Sequence, residues 1–143
     1  MLIAALSACG PAVGDWKGTW KGNAVINTGR APIVVPGLLT IADGAQFTVT
    51  SDPRGTPAQV YSCALNAMSV EGSSATFQVP TTNCALKATP GDGCTYAVTI
   101  NTASATRNAD MLTGSVSGRL TSTCTSGNSI EDFGLELTAT RQK

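Results

Sequence analysis

A chain of 143 residues with an apolar fraction of 42% is long enough to close one hydrophobic core unaided. Nine basic residues balance nine acidic ones and only 13% of the chain is charged, which excludes the clustered cations that nucleic-acid or polybasic membrane binding requires. No histidine is present, which removes the commonest general base and transition-metal ligand.

Met1 to Leu6 is an apolar run, followed by Ser7-Ala8-Cys9 and then Gly10-Pro11. Leu6-Ser7-Ala8-Cys9 resembles the lipobox of bacterial lipoproteins, in which the cysteine is lipidated and becomes the first mature residue. The resemblance implies that residues 1–8 are the remnant of a signal peptide, although no Lys or Arg precedes the apolar run. It implies a lipid on Cys9, a tether over residues 9–14 and a single β domain over 15–143. It also implies an exported protein held in the bacterial envelope. Gly10, rather than Asp, after the cysteine is similar to the outer-membrane-sorted class. No other stretch approaches the roughly 20 apolar residues that cross a bilayer as a helix.

Thr, Ser and Asn supply the polarity of the rest, and two-residue alternation dominates, so the expected class is all-β. Trp20, Gly22, Ala24 and Ile26 share one face of a first strand running from Thr19-Trp20 to Ile26-Asn27. Gly29 to Gly37 reads as an irregular crossover, because Pro32 and Pro36 confine Ile33-Val34-Val35 to an edge or a covering loop. Leu38–Ala42 and Gln46–Ser51 form a hairpin around Asp43-Gly44. Asp52-Pro53-Arg54-Gly55-Thr56-Pro57 is turn-rich. Gln59–Val70 and Ala75–Val79 form a second hairpin, and Thr81–Gly93 reads as a long loop with a Pro90-Gly91-Asp92-Gly93 turn.

The C-terminal half alternates most cleanly. Cys94, Tyr96, Val98 and Ile100 form one apolar face. Leu112, Gly114, Val116, Gly118 and Leu120 form the next, and Phe133, Leu135, Leu137 and Ala139 the last. About eight antiparallel strands in a meander suit a small closed barrel, with a two-sheet sandwich as the alternative.

Of the five cysteines, a lipid on Cys9 leaves an even set for an oxidising compartment: Cys63, Cys84, Cys94 and Cys124. Three pairings are possible. Directly opposed residues of a hairpin are equidistant from its turn. Cys63 and Cys84 are centred on Glu71-Gly72-Ser73-Ser74, and Cys94 and Cys124 on Arg107-Asn108-Ala109-Asp110, which favours 63–84 and 94–124. The second bridge shares the apolar phase of both strands and is expected to be buried.

Gly18-Thr19-Trp20 at the start of the first strand, with Arg141 after the last, resembles the signature of lipocalin and calycin barrels. The resemblance implies that Trp20 plugs one end of a barrel and that Arg141 packs over its indole. Gly14-Asp15-Trp16 repeats the tripeptide one step earlier. Size, Gly-x-Trp and disulfides are also similar to the bacterial metalloprotease-inhibitor barrel.

No constellation for catalysis is found, no cofactor is implied, and the chain reads as a non-enzyme. Glu131-Asp132 is the closest carboxylate pair and reads as a solvated loop; Asp43, Asp92 and Asp110 occupy turns, as do Arg107 and Asn108. The expected function is a non-enzymatic binding or assembly module for an unknown envelope protein. The alternatives are a calycin-like carrier of a small apolar ligand, which needs a roomy interior, and a protease inhibitor, which needs an exposed N-terminal trunk. Mass spectrometry of the mature, non-reduced protein from its host is expected to find an acylated N-terminal Cys9; an unmodified Met1 would overturn the envelope assignment.

Overall fold

The computed structural model describes residues 12–29, 31–51, 61–82, 84–86 and 93–143. The lipobox with Cys9, the 52–57 turns, the start of the second hairpin before Tyr61 and Pro90-Gly91-Asp92 lie outside them. The described chain is all-β apart from one 3-10 turn, Gly14–Trp16. Its strands are β1 (Gly18–Asn27), β2 (Ile33–Ala42), β3 (Gln46–Ser51), β4 (Tyr61–Glu71), β5 (Ser74–Phe77), β6 (Cys84–Leu86), β7 (Cys94–Asn108), β8 (Met111–Cys124) and β9 (Gly127–Arg141).

Hydrogen bonding runs β3-β2-β1-β9-β8-β7-β5-β4-β6, and β3 also pairs with β4. That extra pairing closes an eight-stranded antiparallel barrel, with β6 as the additional strand. A sandwich is thereby excluded. Closure leaves no long strand edge to template aggregation. The seam between the first and last strands is tight, because a Cβ on Gly22 would collide with the Thr138 carbonyl and lie 2.6 Å from Ala139 Cα.

Two segments before β7 differ from the sequence expectation. Residues 33–36 are not an irregular crossover: they extend β2 and pair with β1, with Val35 opposite Ala24 and Pro36 opposite Asn23. They run past Gly37, which pairs with Ser51 at the end of β3, so among the described residues their other side is an edge. The edge character demanded by Pro36 is therefore kept within a strand. Thr81–Gly93 is likewise not all loop. Thr81 bridges Ile100, and Cys84–Leu86 pairs with Tyr61–Cys63.

Both disulfides form as 63–84 and 94–124, each between directly opposed residues. The hairpin symmetry that favours them is not exact. Glu71 opposes Ser74, so the turn is centred one residue earlier than the Cys63–Cys84 pair; the register shift between Ala67 and Ser69 moves the centre earlier still, and Cys84 meets Cys63 from β6, a strand separate from β5. A second shift between Ile100 and Thr102 accommodates the two-residue turn between Asn108 and Met111. Cys94 and Cys124 are half-buried rather than buried, because they sit at the end of the barrel where the interior opens.

Expected outcomes follow for two sets of variants. Gly22→Ala lowers unfolding free energy by about 1–3 kcal/mol through overpacking, whereas Gly134→Ala, with nothing within 4 Å of its added Cβ, does not. Replacing both cysteines of either pair, across separations of 21 and 30 residues, costs about 2–4 kcal/mol. Urea titration of each variant checks both.

Candidate functional site

Antiparallel alternation gives the barrel two unlike ends. At one end lie the short turns after β2, β4 and β7, together with the 3-10 turn and the C-terminus. Here the interior is filled. Trp20, Ile41, Phe47 and Leu112 are its largest fully buried side chains. Phe47 meets Phe77 edge-on at 4.8 Å and Trp16 at 5.9 Å between ring centroids, arrangements that complement the ring quadrupoles. A void of about 30 Å³ remains among Leu39, Phe77 and Leu137.

Two tryptophans and two arginines seal this end. The Arg141 guanidinium lies 4.5 Å from the Trp20 ring centroid. Its Nη1 donates to the Lys17 carbonyl at 3.0 Å, its Nη2 to the Asp15 carbonyl, and its Nε pairs with Asp110 at 3.2 Å. Trp20 Nε1 donates to the Trp16 carbonyl at 3.0 Å, and Trp16 Nε1 to the Gly72 carbonyl at 3.1 Å. Each buried ring nitrogen is thus satisfied, as burial demands. Arg107 stands 5.9 Å from the Trp16 ring. Val13 is buried among the core residues, so the tether expected through Gly14 joins the domain by Val13.

The sequence reading placed Arg107 among turn residues and gave Trp16 no role. The bulge between Ile100 and Thr102 explains the first. It inverts the alternation of β7, so Ala103, Ala105 and Arg107 point inward although Tyr96, Val98 and Ile100 are also inward. The signal available for Trp16 was the repeated Gly-x-Trp, which folds as a 3-10 turn beneath the first strand.

Among the described residues the other end is open. Between β1, β3, β4, β6 and β7–β9 lies a cavity of about 160 Å³, and among those residues its lining, Thr28 included, presents apolar atoms to it. Ile26, Val98, Leu120 and Phe133 form its walls, with the Cys63–Cys84 bridge across one side. Phe133 holds its position because its cross-strand partner is Gly118. A Cβ there would lie 2.9 Å from the Phe133 ring and strike the Thr99 carbonyl. The small residues of the barrel therefore do different work at its two ends. Ala24 and Ala139 let the tryptophan end fill, while Gly118 leaves room for the Phe133 ring in the cavity wall.

The sequence-derived residues fall on opposite sides of this arrangement. Trp20 and Arg141 meet at the filled end, and Arg141 is the last residue of β9 rather than a residue beyond it. Cys63, Cys84, Cys94 and Cys124 all lie at the open end. Glu131-Asp132 is not a loop. Both residues belong to β9, where Glu131 opposes the cavity-lining Leu120 and Asp132 faces out to pair with Arg119 at 2.9 Å. Asp43 is exposed and paired with Lys17 at 2.7 Å, a surface bridge worth about 0–1 kcal/mol. Among the described residues no group of three or more His, Cys, Asp or Glu is placed to hold a metal ion, and no helix is long and apolar enough to cross a membrane.

No family model matches the chain, and no curated protein matches it. Among solved structures it is similar to a protein of unknown function from the DUF3598 family of Nostoc punctiforme, at 15% identity and a TM-score of 0.45. That alignment covers 99% of this chain and 54% of the other, so the chain spans about half the length of that structure.

Arg141→Ala is expected to destabilise the barrel by about 1–3 kcal/mol, because it removes a cation–π contact and strands the Asp15 and Lys17 carbonyls. Arg141→Lys should not restore the loss, since an ammonium lacks the planar fork that meets both carbonyls and the ring. Chemical denaturation of the two variants checks this.

Proposed function

We propose that this domain carries a small, uncharged, apolar molecule in the open end of its barrel. The observation that carries the proposal is the all-apolar cavity of about 160 Å³ opposite the tryptophan plug. Apolar cavities of about 150 Å³ stay dry and accept guests the size of benzene. A filled interior would have argued against a carrier; here filling stops halfway up the barrel. Support for a calycin-like design comes from the up-and-down strand order, from Gly18-Thr19-Trp20 opening β1 and from Arg141 on the Trp20 ring. The expected lipid on Cys9 would hold such a carrier in the bacterial envelope, with the outer membrane favoured by Gly10.

The function is non-enzymatic binding. The chain has no histidine, its four domain cysteines are in disulfides, and among the described residues the cavity lining is aliphatic, aromatic or disulfide apart from Thr28. The inhibitor alternative draws less support, because the chain from Val13 to Trp16 packs into the barrel end instead of standing out as a trunk.

Toluene is a suitable one-ring probe. Titration followed by NMR shifts of Val98, Leu120 and Phe133 should show saturable binding. Saturation at 100 times Kd should raise unfolding free energy by about 2.7 kcal/mol. Val98→Phe, which fills the cavity, should weaken binding at least about tenfold without unfolding the barrel. Phe133→Ala, which enlarges it, should admit larger guests. A folded protein that shows no saturable toluene binding rejects the carrier function.

A further inference from the structure

The described chain enters the barrel at its filled end, opposite the cavity mouth, and the residues between Val13 and Cys9 are too few to span the barrel. Val13 is 6% exposed and Trp16 2%, both packed into the filled end. Four residue steps separate Val13 from Cys9, a reach of at most about 14 Å even when fully extended. β9 gives the height to be crossed, since it runs from the mouth to the plug. Phe133 lines the cavity, Arg141 caps Trp20, and Ser129 is at the rim. Twelve residues from Ser129 to Arg141 rise about 40 Å along the strand, or about 30 Å along the axis at the usual barrel tilt. The mouth therefore stands about twice as far from the anchor end as the tether can reach.

We propose that the tethered protein sits with its tryptophan-plugged end at the membrane and its cavity mouth turned away from it. The ligand then exchanges with the aqueous compartment, or with a partner reached through it, and not with the bilayer that holds the protein. This inference rests on Cys9 as the lipid site and on the cavity as the ligand site. Around the plug stand Lys17, Asp43, Asp110 and Arg141, groups at home beside lipid headgroups and water, with the exposed Met111 beside Asp110. The exposed apolar residues Ile33 and Ile130, at 52% and 65%, lie at the mouth, so the orientation rests on the reach of the tether and not on surface hydrophobicity. Ile33 opposes the cavity-lining Ile26, and Ile130 is adjacent to the strand position facing Leu120.

The test uses the full lipidated chain bound to phosphatidylcholine vesicles that contain headgroup spin-labelled lipid. A fluorophore is placed on an added cysteine at the plugged end (Asp43→Cys) or at the rim (Ser129→Cys) under non-reducing conditions. Quenching should be several-fold stronger at position 43 than at position 129. Equal quenching, or stronger quenching at 129, overturns the orientation. Protein that stays in the supernatant overturns both the anchor and the orientation. As a second measurement, toluene should bind the vesicle-held protein and the soluble Cys9→Ser protein with the same affinity. Weaker binding on vesicles places the mouth against the membrane and overturns the proposal. Binding to neither form rejects the carrier function alone and leaves the label result standing.

Discussion

The barrel depends on one seam. Seven of its eight strand pairings join strands that follow one another around the meander, and the eighth brings β1 to β9 across nearly the whole chain. Together with the β3–β4 pairing it converts a curled sheet into a closed surface. It is secured at the end where the two strands start and finish: Trp20 fills the interior, Arg141 lies on its ring, and the same guanidinium binds the carbonyls of Asp15 and Lys17. Gly22 allows the two backbones to approach beside Ala139. The contact is thus at once a packing contact, a charge on a π face and a cap for a 3-10 turn. These terms reinforce one another because all three need the guanidinium in the same place.

From that seam the molecule divides in two. Toward the plug, aromatic rings and branched aliphatics interdigitate, and every turn among the described residues there is short. Toward the mouth the same alternation of side chains continues, but the aromatic cluster does not extend there and a space remains between the walls. A single strand such as β9 passes through both regimes, from Glu131 through Phe133 and Leu135 to Ala139 and Arg141. Its inward positions record the change from wet rim to apolar wall to sealed base.

Much of this was legible in the sequence because a half-buried strand writes itself as alternation. β1, the β2–β3 hairpin and the three C-terminal strands follow that pattern, as does the parity of the four domain cysteines. What was not legible came from departures from strict period two. A bulge after Ile100 reverses the phase of β7 and turns Arg107 inward onto Trp16, which no count from Cys94 would reveal. Pro36 lies inside a strand because its neighbours pair on one side only. Cys84 belongs to a three-residue strand too short to show any period. Glu131 looked like a loop residue because it lies with Asp132 between Ser129 and Phe133, yet its place opposite Leu120 is set by the length of β8. The cavity itself had no sequence signal. It is the difference between the volume a barrel encloses and the volume its inward side chains occupy, and only coordinates supply that difference.

The placement of the disulfides has a consequence for the empty protein. A half-filled apolar interior tends to collapse on itself, because a void forfeits dispersion contacts on every side. At this end neighbouring strands are joined covalently, 63 to 84 between β4 and β6 and 94 to 124 between β7 and β8. Each bridge ties a strand to the neighbour it already hydrogen-bonds, so it stiffens the cavity wall along its own surface and keeps the strand ends at the rim from fraying. A guest therefore meets a rim whose strands are already ordered, and less of its binding energy is spent on ordering them. Where the plugged end uses its apolar residues to become solid, the open end uses its cysteines to keep its rim in shape.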